Sequence, residues 1–512
     1  MSWKDFCAVI KGTDGDPAGL KRFAEDNFNK FGVYPESIHF KEGSCFFIAE
    51  DNSGKIFVIY GESPYYSKFD GDEALIGNHR TKVCGLSNSN CDELRKIFPF
   101  TNPVSHKGID ISVGLGDRLG FAPTGLIRLI KKTQAFPILA QQAHRELDQT
   151  GHTFHDIVSS ASWSVFQEGY TRGFGADGDH LKTVEEIDEV LGHGFSRVTI
   201  DSSGYINNIT AYTQDEVEKK YLELPQTERQ HYESEYLDRE FTLKCGLTLK
   251  FSLTEFKKAV LMFSGPIKFI IGAYDKTIKN CGRSIDFEVT IDEAPLPTTP
   301  ETHFIIASEL VSAGVDLASI APKFTGRFEK GMDYKGDLAI LSKEVEMHSR
   351  IAEHFGYKIS VHSSSYKYSI FPIIAEKTGG RYHVKINGAN WIAAVKTIAE
   401  VNPALFRSMY KFMVDNQSAA RKYYKISANV ANVPDIESIE DNKLGGIFEQ
   451  DDARQLLNVA YGVFLESKNP DGSSMFKDSI YSTLTKYEEA YYTELNNIIG
   501  KHLEKLQLLP RE

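Results

Sequence analysis

The sequence predicts an α/β protein whose core is a (β/α)8 barrel of the TIM type, with an N-terminal α+β domain and a helical C-terminal extension. From residue 109 onward, short apolar runs that end in polar residues alternate with helical segments, which is typical of β/α units around a parallel sheet. Eight such runs occur, the number that closes a barrel. We therefore expect an N-terminal domain over 1–105, the barrel over 106–402 and the extension over 403–512.

Each predicted strand is a short apolar or alternating run bounded by turn formers. The strands are predicted at 109–114, 136–141, 171–176, 197–200, 286–291, 317–322, 358–362 and 382–386. The helices between and after them are predicted at 123–132, 152–169, 183–193, 301–313, 336–355, 366–377 and 389–400. The stretch of about 205–285 follows the fourth strand and is predicted as an insertion, helical and partly acidic, with its charged face in solvent.

The two ends of the chain do not show the alternating β/α pattern of the barrel. The runs SCFFIAED and KIFVIYGES are β-rich, and the DNSG turn between Asp51 and Gly54 predicts a hairpin that joins them. The stretch from Tyr481 to Leu506 is amphipathic and is predicted to pack on the barrel or on a partner subunit. The sequence therefore leaves open whether the protein forms a homo-oligomer.

Composition excludes several classes of function. The chain has 512 residues, a formal net charge of −12 and 41% hydrophobic residues, which predicts a folded protein without the basic surface that nucleic acid requires. It has no apolar run of eighteen residues and a polar start, so neither a membrane span nor a signal peptide is expected. Its six cysteines form no CxxC pair and are predicted to be reduced thiols. These features predict a cytoplasmic protein with a small-molecule partner.

Polar residues follow nearly every predicted strand, whereas the amino ends of the strands carry no such set. In a (β/α)8 barrel the active site lies at the carboxyl ends of the strands. The polar residues found there are Asp117, Arg118, Gln141, Gln142, Asp177, Asp179, His180, Asp201, Asp292, Glu293, Lys323, His362, Lys367, Lys385 and Asn387. A barrel with a purely structural role would not need them, so we expect an enzyme.

The segment GFGADGDHLK at 173–182 is the densest of these groups and could hold a metal or a polar ligand. The alternative is ordinary turn and capping chemistry ahead of a helix that begins near Thr183. We predict His180 and His362 as nitrogen ligands and Asp201 as an oxygen ligand. This donor set suits a divalent transition metal (Zn, Mn, Fe or Ni) better than Mg or Ca. His303 is a rival ligand.

The remaining strand-end residues are candidates for proton transfer and substrate binding. Glu293 is predicted as a general acid/base because the APLP segment that follows it would hold the backbone rigid. Asp179 is predicted as a second proton-transfer group on the opposite side of the site. The side chains predicted to bind a substrate carboxylate or sugar hydroxyls are Arg118, Lys323, Lys367 and, for the hydroxyls, Gln142. Structural caps and surface ion pairs are the alternatives for all of them.

Five stretches carry a resemblance to a known family. They are GLGDRLGFAPTG (114–125), PILAQQAHRELDQTGHT (137–153), ASWSVFQEGYTRGFGADGDHLKT (161–183), APKFTGRFEKGMDYKGD (321–337) and KISVHSSSYKYS (358–369). Together they resemble the motifs of the tagaturonate epimerase family of bacterial hexuronate catabolism. The resemblance implies an enzyme that interconverts the keto-sugar acids tagaturonate and fructuronate with the help of a divalent metal.

The chemistry of that reaction limits its mechanism. The two sugars differ at a carbinol carbon two positions from the ketone, so removal of an α-proton cannot invert it. Retro-aldol cleavage, rotation of the aldehyde and re-addition could do so, and a metal would stabilise the enediolate. Transient hydride removal would need a redox cofactor, and no GxGxxG fingerprint opens a βαβ unit. A metal-dependent sugar-acid aldolase or lyase and a non-catalytic sugar-binding protein remain alternatives.

Overall fold

The strands of the protein form an antiparallel sheet, a closed barrel and a short hairpin in a computed structural model that describes residues 2–10, 16–52 and 54–510. The antiparallel sheet has the order β1-β2-β3-β5-β4 and comprises β1 (His39–Lys41), β2 (Ser44–Asp51), β3 (Gly54–Tyr60), β4 (Asp72–Ile76) and β5 (His79–Gly85). The barrel comprises β6 (Ile111–Gly114), β7 (Phe136–Gln142), β8 (Gly175–Leu181), β9 (Arg197–Asp201), β12 (Asp286–Thr290), β13 (Leu317–Ala321), β14 (Lys358–His362) and β15 (Tyr382–Lys385). The hairpin pairs β10 (Glu240–Thr242) with β11 (Thr248–Lys250).

Helices surround the barrel and continue to the end of the described chain. They are α1 (Trp3–Ile10), α2 (Pro17–Asp26), α3 (Phe28–Phe31), α4 (Asn88–Ile97), α5 (Ala122–Ile130), α6 (His144–Thr150), α7 (Phe154–Gln167), α8 (Val184–Gly192), α9 (Gln214–Leu222), α10 (Gln226–Tyr236), α11 (Leu253–Lys276), α12 (Pro300–Ser312), α13 (Leu338–Phe355), α14 (Phe371–Lys377), α15 (Ala389–Val401), α16 (Pro403–Asp415), α17 (Gln417–Arg421), α18 (Asp451–Val459), α19 (Tyr461–Glu466), α20 (Lys477–Lys486) and α21 (Glu488–Lys505). No described helix is both long and apolar enough to cross a bilayer.

The barrel confirms the predicted fold class. All of its strands are parallel, and β15 pairs with β6 to close the ring. Each strand is followed by at least one helix, and Thr153 and Thr183 cap α7 and α8 by accepting hydrogen bonds from the amides of Asp156 and Glu186. The carboxyl ends of the strands therefore face one common mouth.

The third strand was predicted in the wrong place. The prediction was 171–176, but β8 runs from Gly175 to Leu181 and contains the whole Asp-Gly-Asp-His group. Asp and Gly are rare in strands, so residue propensities do not predict a strand at these positions. Gly178 faces α8, where an added Cβ would lie 2.9 Å from Cγ1 of Val190, while Asp177 and Asp179 point into the barrel and bond to Lys385. Tertiary pairing thus overrides local preference.

The predicted insertion contains one of the barrel's own helices. α11 lies between β9 and β12, packs beside α12, and brings the Tyr274 ring to 5.2 Å from the ring of Phe287 on β12. Only the part before it, with α9, α10 and the β10-β11 hairpin, is additional to the barrel. The sequence prediction assigned α11 to the insertion because a long acidic segment precedes it.

The N-terminal sheet packs on the outside of the barrel. β2 and β3 pair antiparallel as far as Asp51 and Gly54, which confirms the predicted hairpin, although Ser53 of its turn lies outside the described residues. The ring of Phe57 lies 5.2 Å from that of Trp163 on α7. Aromatic pairs of this kind contribute about 0.5–1.5 kcal/mol beyond their buried area.

The last helix covers the barrel, as one of the two predicted alternatives stated. α21 packs against α5 and α15, and Gly125 of α5 lies beneath the Tyr492 ring. An added Cβ at Gly125 would come within 2.7 Å of Tyr492 Cδ1, so the glycine permits close approach. All six cysteines are free, as predicted from their spacing.

The glycine after the first barrel strand should be indispensable to the barrel. A Cβ at Gly116 would lie 2.1 Å from the carbonyl oxygen of Gln141, a backbone atom that cannot rotate away. We expect Gly116→Ala to lower the free energy of unfolding by about 1–3 kcal/mol, measured by urea denaturation. Gly272→Ala is the control, because nothing lies within 4 Å of a Cβ there and alanine favours a helix. Equal stability of the two variants would contradict this account.

Candidate functional site

Two histidines meet at the mouth of the barrel. His362 ends β14, and His180 lies near the end of β8. Their ring centroids are 5.1 Å apart and the rings are nearly perpendicular. Both were predicted as metal ligands, and the structure brings them together.

The backbone of His180 is strained in a way that directs its side chain. Its φ is +53°, a left-handed conformation that is rare for a residue with a side chain. The register of β8 against β9 shifts between Gly178 and Leu181, so His180 lies in an irregular, bulged part of the strand. Such a conformation costs on the order of 1–3 kcal/mol, which the surrounding barrel must supply.

A third potential ligand comes from the end of β12. Ligand atoms of His180, Asp292 and His362 all lie within 4.8 Å of one another. Nδ1 of His362 lies 3.0 Å from Oδ2 of Asp292, yet it has no hydrogen bond of acceptable geometry. Its other nitrogen, Nε2, lies 2.8 Å from Oε1 of Glu288. One nitrogen thus faces a buried carboxylate and the other faces Asp292, a second potential ligand, and a carboxylate behind the far nitrogen is the usual arrangement of a histidine that binds a metal.

The electrostatics of these three residues also fit a cation. Burial alone would lower the pKa of His362, but the Asp292 carboxylate outweighs it and raises the pKa to about 9. The pKa of His180 is likewise raised, by Asp179 and Asp201 against burial. Two imidazoles and a carboxylate suit a divalent transition metal. The residues present therefore fit the metal that the sequence predicts.

Asp201, the predicted oxygen ligand, lies beside this trio rather than in it. Its Oδ2 is 3.5 Å from Nδ1 of His180, and its Oδ1 accepts a hydrogen bond of 2.8 Å from the amide of Ser203. This position suits a carboxylate that orients His180. His303, the rival ligand, is buried between Tyr357 and His348 and hydrogen-bonds to both.

A buried ionic network supports the histidines from below. Nζ of Lys385 lies 2.9 Å from Asp177 Oδ2, 2.7 Å from Asp179 Oδ1 and 2.9 Å from Glu288 Oε1. Burial alone would lower the pKa of Lys385, but these carboxylates raise it above its ordinary value. Arg197 pairs with the other oxygen of Glu288. Glu288, which holds His362, is thus fixed by two cations.

The two predicted proton-transfer groups have different surroundings. Asp179 is buried, and although burial raises its pKa, Lys385 and the two histidines bring it well below its usual range. Glu293 lies exposed in the turn after β12, next to Asp292. A carboxylate held ionised by a lysine is a poor proton carrier. The assignment of Asp179 and Glu293 to proton transfer stays a prediction.

The cations predicted to bind a substrate carboxylate are occupied by protein groups. Arg118 is buried, lies 3.0 Å from Glu146 Oε1, and packs over the Tyr461 ring at 4.0 Å. Lys323 donates to the carbonyl of Ala294. Lys367 donates to the carbonyls of Glu329, Met332 and Ser365. Their assignment to the substrate stays a prediction.

Several buried polar atoms at or just after the carboxyl ends of the barrel strands have no partner in the described part of the chain. They are Oε1 of Gln141 and of Gln142, Oγ of Ser202 and of Ser364, and Oδ1 of Asn387. Buried polar atoms are normally hydrogen-bonded, so their clustering at the strand ends points to a ligand. Hydroxyl groups could satisfy each of them. These atoms therefore suit a polyhydroxylated ligand, and the predicted role of Gln142 in binding one stays a prediction.

Comparison with known proteins decides the family. The family described as tagaturonate epimerase matches residues 34–506. The chain belongs to the tagaturonate epimerase family. It is 38% identical over 491 residues to a tagaturonate/fructuronate epimerase of Thermotoga maritima, covering 95% of this chain and 99% of that protein. This finding confirms the resemblance seen in the sequence.

Solved structures of the same family share the fold. The native crystal structure of a fructuronate-tagaturonate epimerase from Cohnella laeviribosi has a TM-score of 0.90 and 41% identity, covering 93% of this chain and 96% of that one. A crystal structure of the Cohnella enzyme with one glycerol has a TM-score of 0.91 and 40% identity, covering 96% of this chain and 99% of that one. The chain is an enzyme of the isomerase type.

Sequence reasoning about this tagaturonate epimerase family member did not assign roles to Asp292, Glu288 or Lys385. Asp292 and Lys385 were noted only as polar strand ends. A signal for Glu288 was present, because DFEVT alternates polar and apolar residues in a strand that helices cover on one face. In such a strand the polar set must point into the barrel, where it needs ionic partners.

The stability of this epimerase family member's barrel should depend on Lys385. Replacing it by methionine would leave three buried carboxylates without their shared cation, so we expect Lys385→Met to lower the free energy of unfolding by about 3–5 kcal/mol, measured by chemical denaturation. The double variant Lys385→Met/Asp179→Asn should regain part of this loss. The control is Lys132→Met at an exposed turn. A loss below about 1 kcal/mol for Lys385→Met would show that the network is not required.

Proposed function

We propose that this protein interconverts D-tagaturonate and D-fructuronate in a divalent-metal-dependent reaction that proceeds by retro-aldol cleavage and aldol re-addition. The single observation that carries the proposal is the trio of His180, Asp292 and His362, surrounded by unsatisfied polar atoms at the mouth of the barrel. Membership of the tagaturonate epimerase family and the names of its relatives support the choice of substrates.

We assign the metal to His180, Asp292 and His362, with Asp201 as the carboxylate that orients His180. A bound Zn, Mn, Fe or Ni ion would supply Lewis-acid stabilisation of the enediolate, worth several kcal/mol. Glu288 holds Nε2 of His362 at 2.8 Å, which fixes the ring and leaves Nδ1 directed to the site. The ligand set differs from the sequence prediction in its oxygen donor, and an experiment below separates the two sets.

The protein's own side chains would position the sugar and move its protons. The buried oxygens of Gln142 and Asn387, which have no partner among the described residues, would accept hydrogen bonds from sugar hydroxyls. Glu293 would take the proton from the hydroxyl on the carbon that inverts, and return it after re-addition. Asp179 remains ionised against Lys385 and contributes negative charge beside the histidines, rather than a proton.

Inversion by this route needs a cleaved intermediate that does not escape. The bond between the inverting carbon and its neighbour on the ketone side breaks, the aldehyde rotates, and the bond forms again on its other face. The carbon that inverts keeps its hydrogen throughout. A metal-dependent aldolase or lyase would use the same residues but release the two fragments.

The direct test is turnover of tagaturonate carrying deuterium at the carbon that inverts. We expect fructuronate that retains the label, only a small primary isotope effect, and loss of turnover in chelator that added metal restores. The products and the label are measured by NMR and mass spectrometry. Release of a free aldehyde would identify a lyase instead. Washout of the label would indicate direct deprotonation, and activity in rigorously metal-free protein would refute the metal requirement.

The ligand set can be tested by metal content. We expect His180→Ala, His362→Ala and Asp292→Ala each to lower bound metal and activity together, because loss of one ligand in three removes much of the affinity. Asp201→Ala should keep most of its metal if Asp201 only orients His180. His79→Ala in the N-terminal sheet is the control. Metal is measured by elemental analysis after dialysis. Loss of metal in Asp201→Ala with retention in Asp292→Ala would restore the set predicted from the sequence.

The cellular setting of this activity stays a prediction. A cytoplasmic location agrees with six free cysteines and with a keto-sugar acid as the only predicted partner. Whether the protein forms a homo-oligomer can be determined by measuring its mass in solution.

A further inference from the structure

A group of positively charged side chains lies at the same mouth as the histidines. Arg118, Arg145 and Lys330 lie near one another, with Glu146 as their shared acidic neighbour, while Glu293 is also near Arg145 and Asp179 near Lys330. Glu146 is engaged by Arg118, at 3.0 Å. Among the described residues, Arg145 and Lys330 form no ion pair, and neither side chain donates a hydrogen bond. Two cations are therefore free to meet an anion.

These two cations converge on one aromatic ring. The guanidinium of Arg145 lies 4.9 Å from the ring centre of Tyr424, and Nζ of Lys330 lies 5.7 Å from it. Tyr424 in turn hydrogen-bonds Tyr461 at 2.6 Å, the residue over which Arg118 packs. The aromatic pair holds the cations in place without neutralising their charge.

The cations belong to the mouth of the barrel and not to a remote surface. Arg145 lies on α6, directly after the carboxyl end of β7, and Lys330 lies in the loop after β13. Burial and the two arginines lower the pKa of Lys330 to about 8, against Glu146 and Asp179, which raise it. Asp179 is thus within electrostatic reach of Lys330, and it also adjoins His180.

The C-terminal extension fixes the loop that carries Lys330. Gln455 of α18 donates to the carbonyl of Lys330 at 3.1 Å and to Glu329 at 3.0 Å. Arg454 donates to the carbonyl of Gly331 at 2.7 Å. The segment therefore has little freedom, and an anion that binds there does not have to order it first.

We propose that Lys330 and Arg145, held beside Tyr424 by the C-terminal extension, bind the carboxylate of the sugar acid and so select keto-hexuronates over neutral keto-sugars. This inference rests on the proposed function. The substrate would then span two poles, with its keto and hydroxyl end at the histidines and its carboxylate at the cations. Arg118, Lys323 and Lys367 have structural bonds that this assignment leaves intact.

The test compares Lys330→Met with the wild-type protein in binding and in turnover. We expect the Kd for D-fructuronate, measured by calorimetry, to rise by about 10- to 100-fold, as for loss of a charge-assisted hydrogen bond. The Kd for D-fructose, in which a hydroxymethyl group replaces the carboxylate, should rise far less than the Kd for D-fructuronate. Lys330→Arg should retain most of the affinity. Lys335→Met, an exposed lysine of the same loop, is the matched control.

The outcomes separate this inference from the proposed function. Unchanged fructuronate binding in Lys330→Met, or equal losses for the acid and the neutral sugar, would overturn the carboxylate assignment while leaving epimerisation intact. If Lys330→Met weakened fructuronate binding but the wild-type protein did not turn the sugar over, the carboxylate assignment would be supported and the proposed function refuted. Thermal unfolding and metal content identical to wild type show that Lys330→Met has not acted through misfolding.

Discussion

The arrangement of the site depends on Lys385, one ammonium group that lies within 2.9 Å of three buried carboxylates. Without Lys385 the three carboxylates would lose their shared cation and Arg197 would offset only part of their charge, although desolvation of each costs several kcal/mol. With Lys385 present, Glu288 stays ionised and can hold His362, and Asp179 stays ionised beside His180. The network thus converts the interior of the barrel into a rigid base for two histidines.

The barrel interior is polar along much of its length. Arg197 pairs with Glu288 and hydrogen-bonds Ser319, while His106 at the amino end pairs with Asp286. Inward-facing polar residues alternate with apolar residues that face the helices, so the hydrophobic core lies between the barrel and its helices. Since the interior is ionic, its geometry is specified by directional bonds as well as by packing.

The mouth above this interior is electrostatically divided. Carboxylates surround His180 and His362, whereas Arg118, Arg145 and Lys330 gather around Glu146. In the proposed binding mode, such a division would orient a ligand that carries a chelating group at one end and an anion at the other. The C-terminal extension supplies Tyr424 and the bonds that hold the backbone at Lys330, so it contacts the mouth of the barrel as well as its helices.

Local pattern was sufficient to determine the barrel, most of its strands, the helix beginning at Thr183 and the meeting of His180 with His362, because strand period and strand order place carboxyl ends together. The resemblance to the family was also visible in the sequence, because its motifs are continuous stretches of the chain. Local pattern failed at β8, where Asp and Gly disfavour a strand that Lys385 stabilises from across the barrel. Local pattern also did not show that Asp292 lies with the two histidines, or that Lys367 is bonded to backbone carbonyls. These contacts depend on which partners reach each side chain in space, and only the tertiary structure decides that.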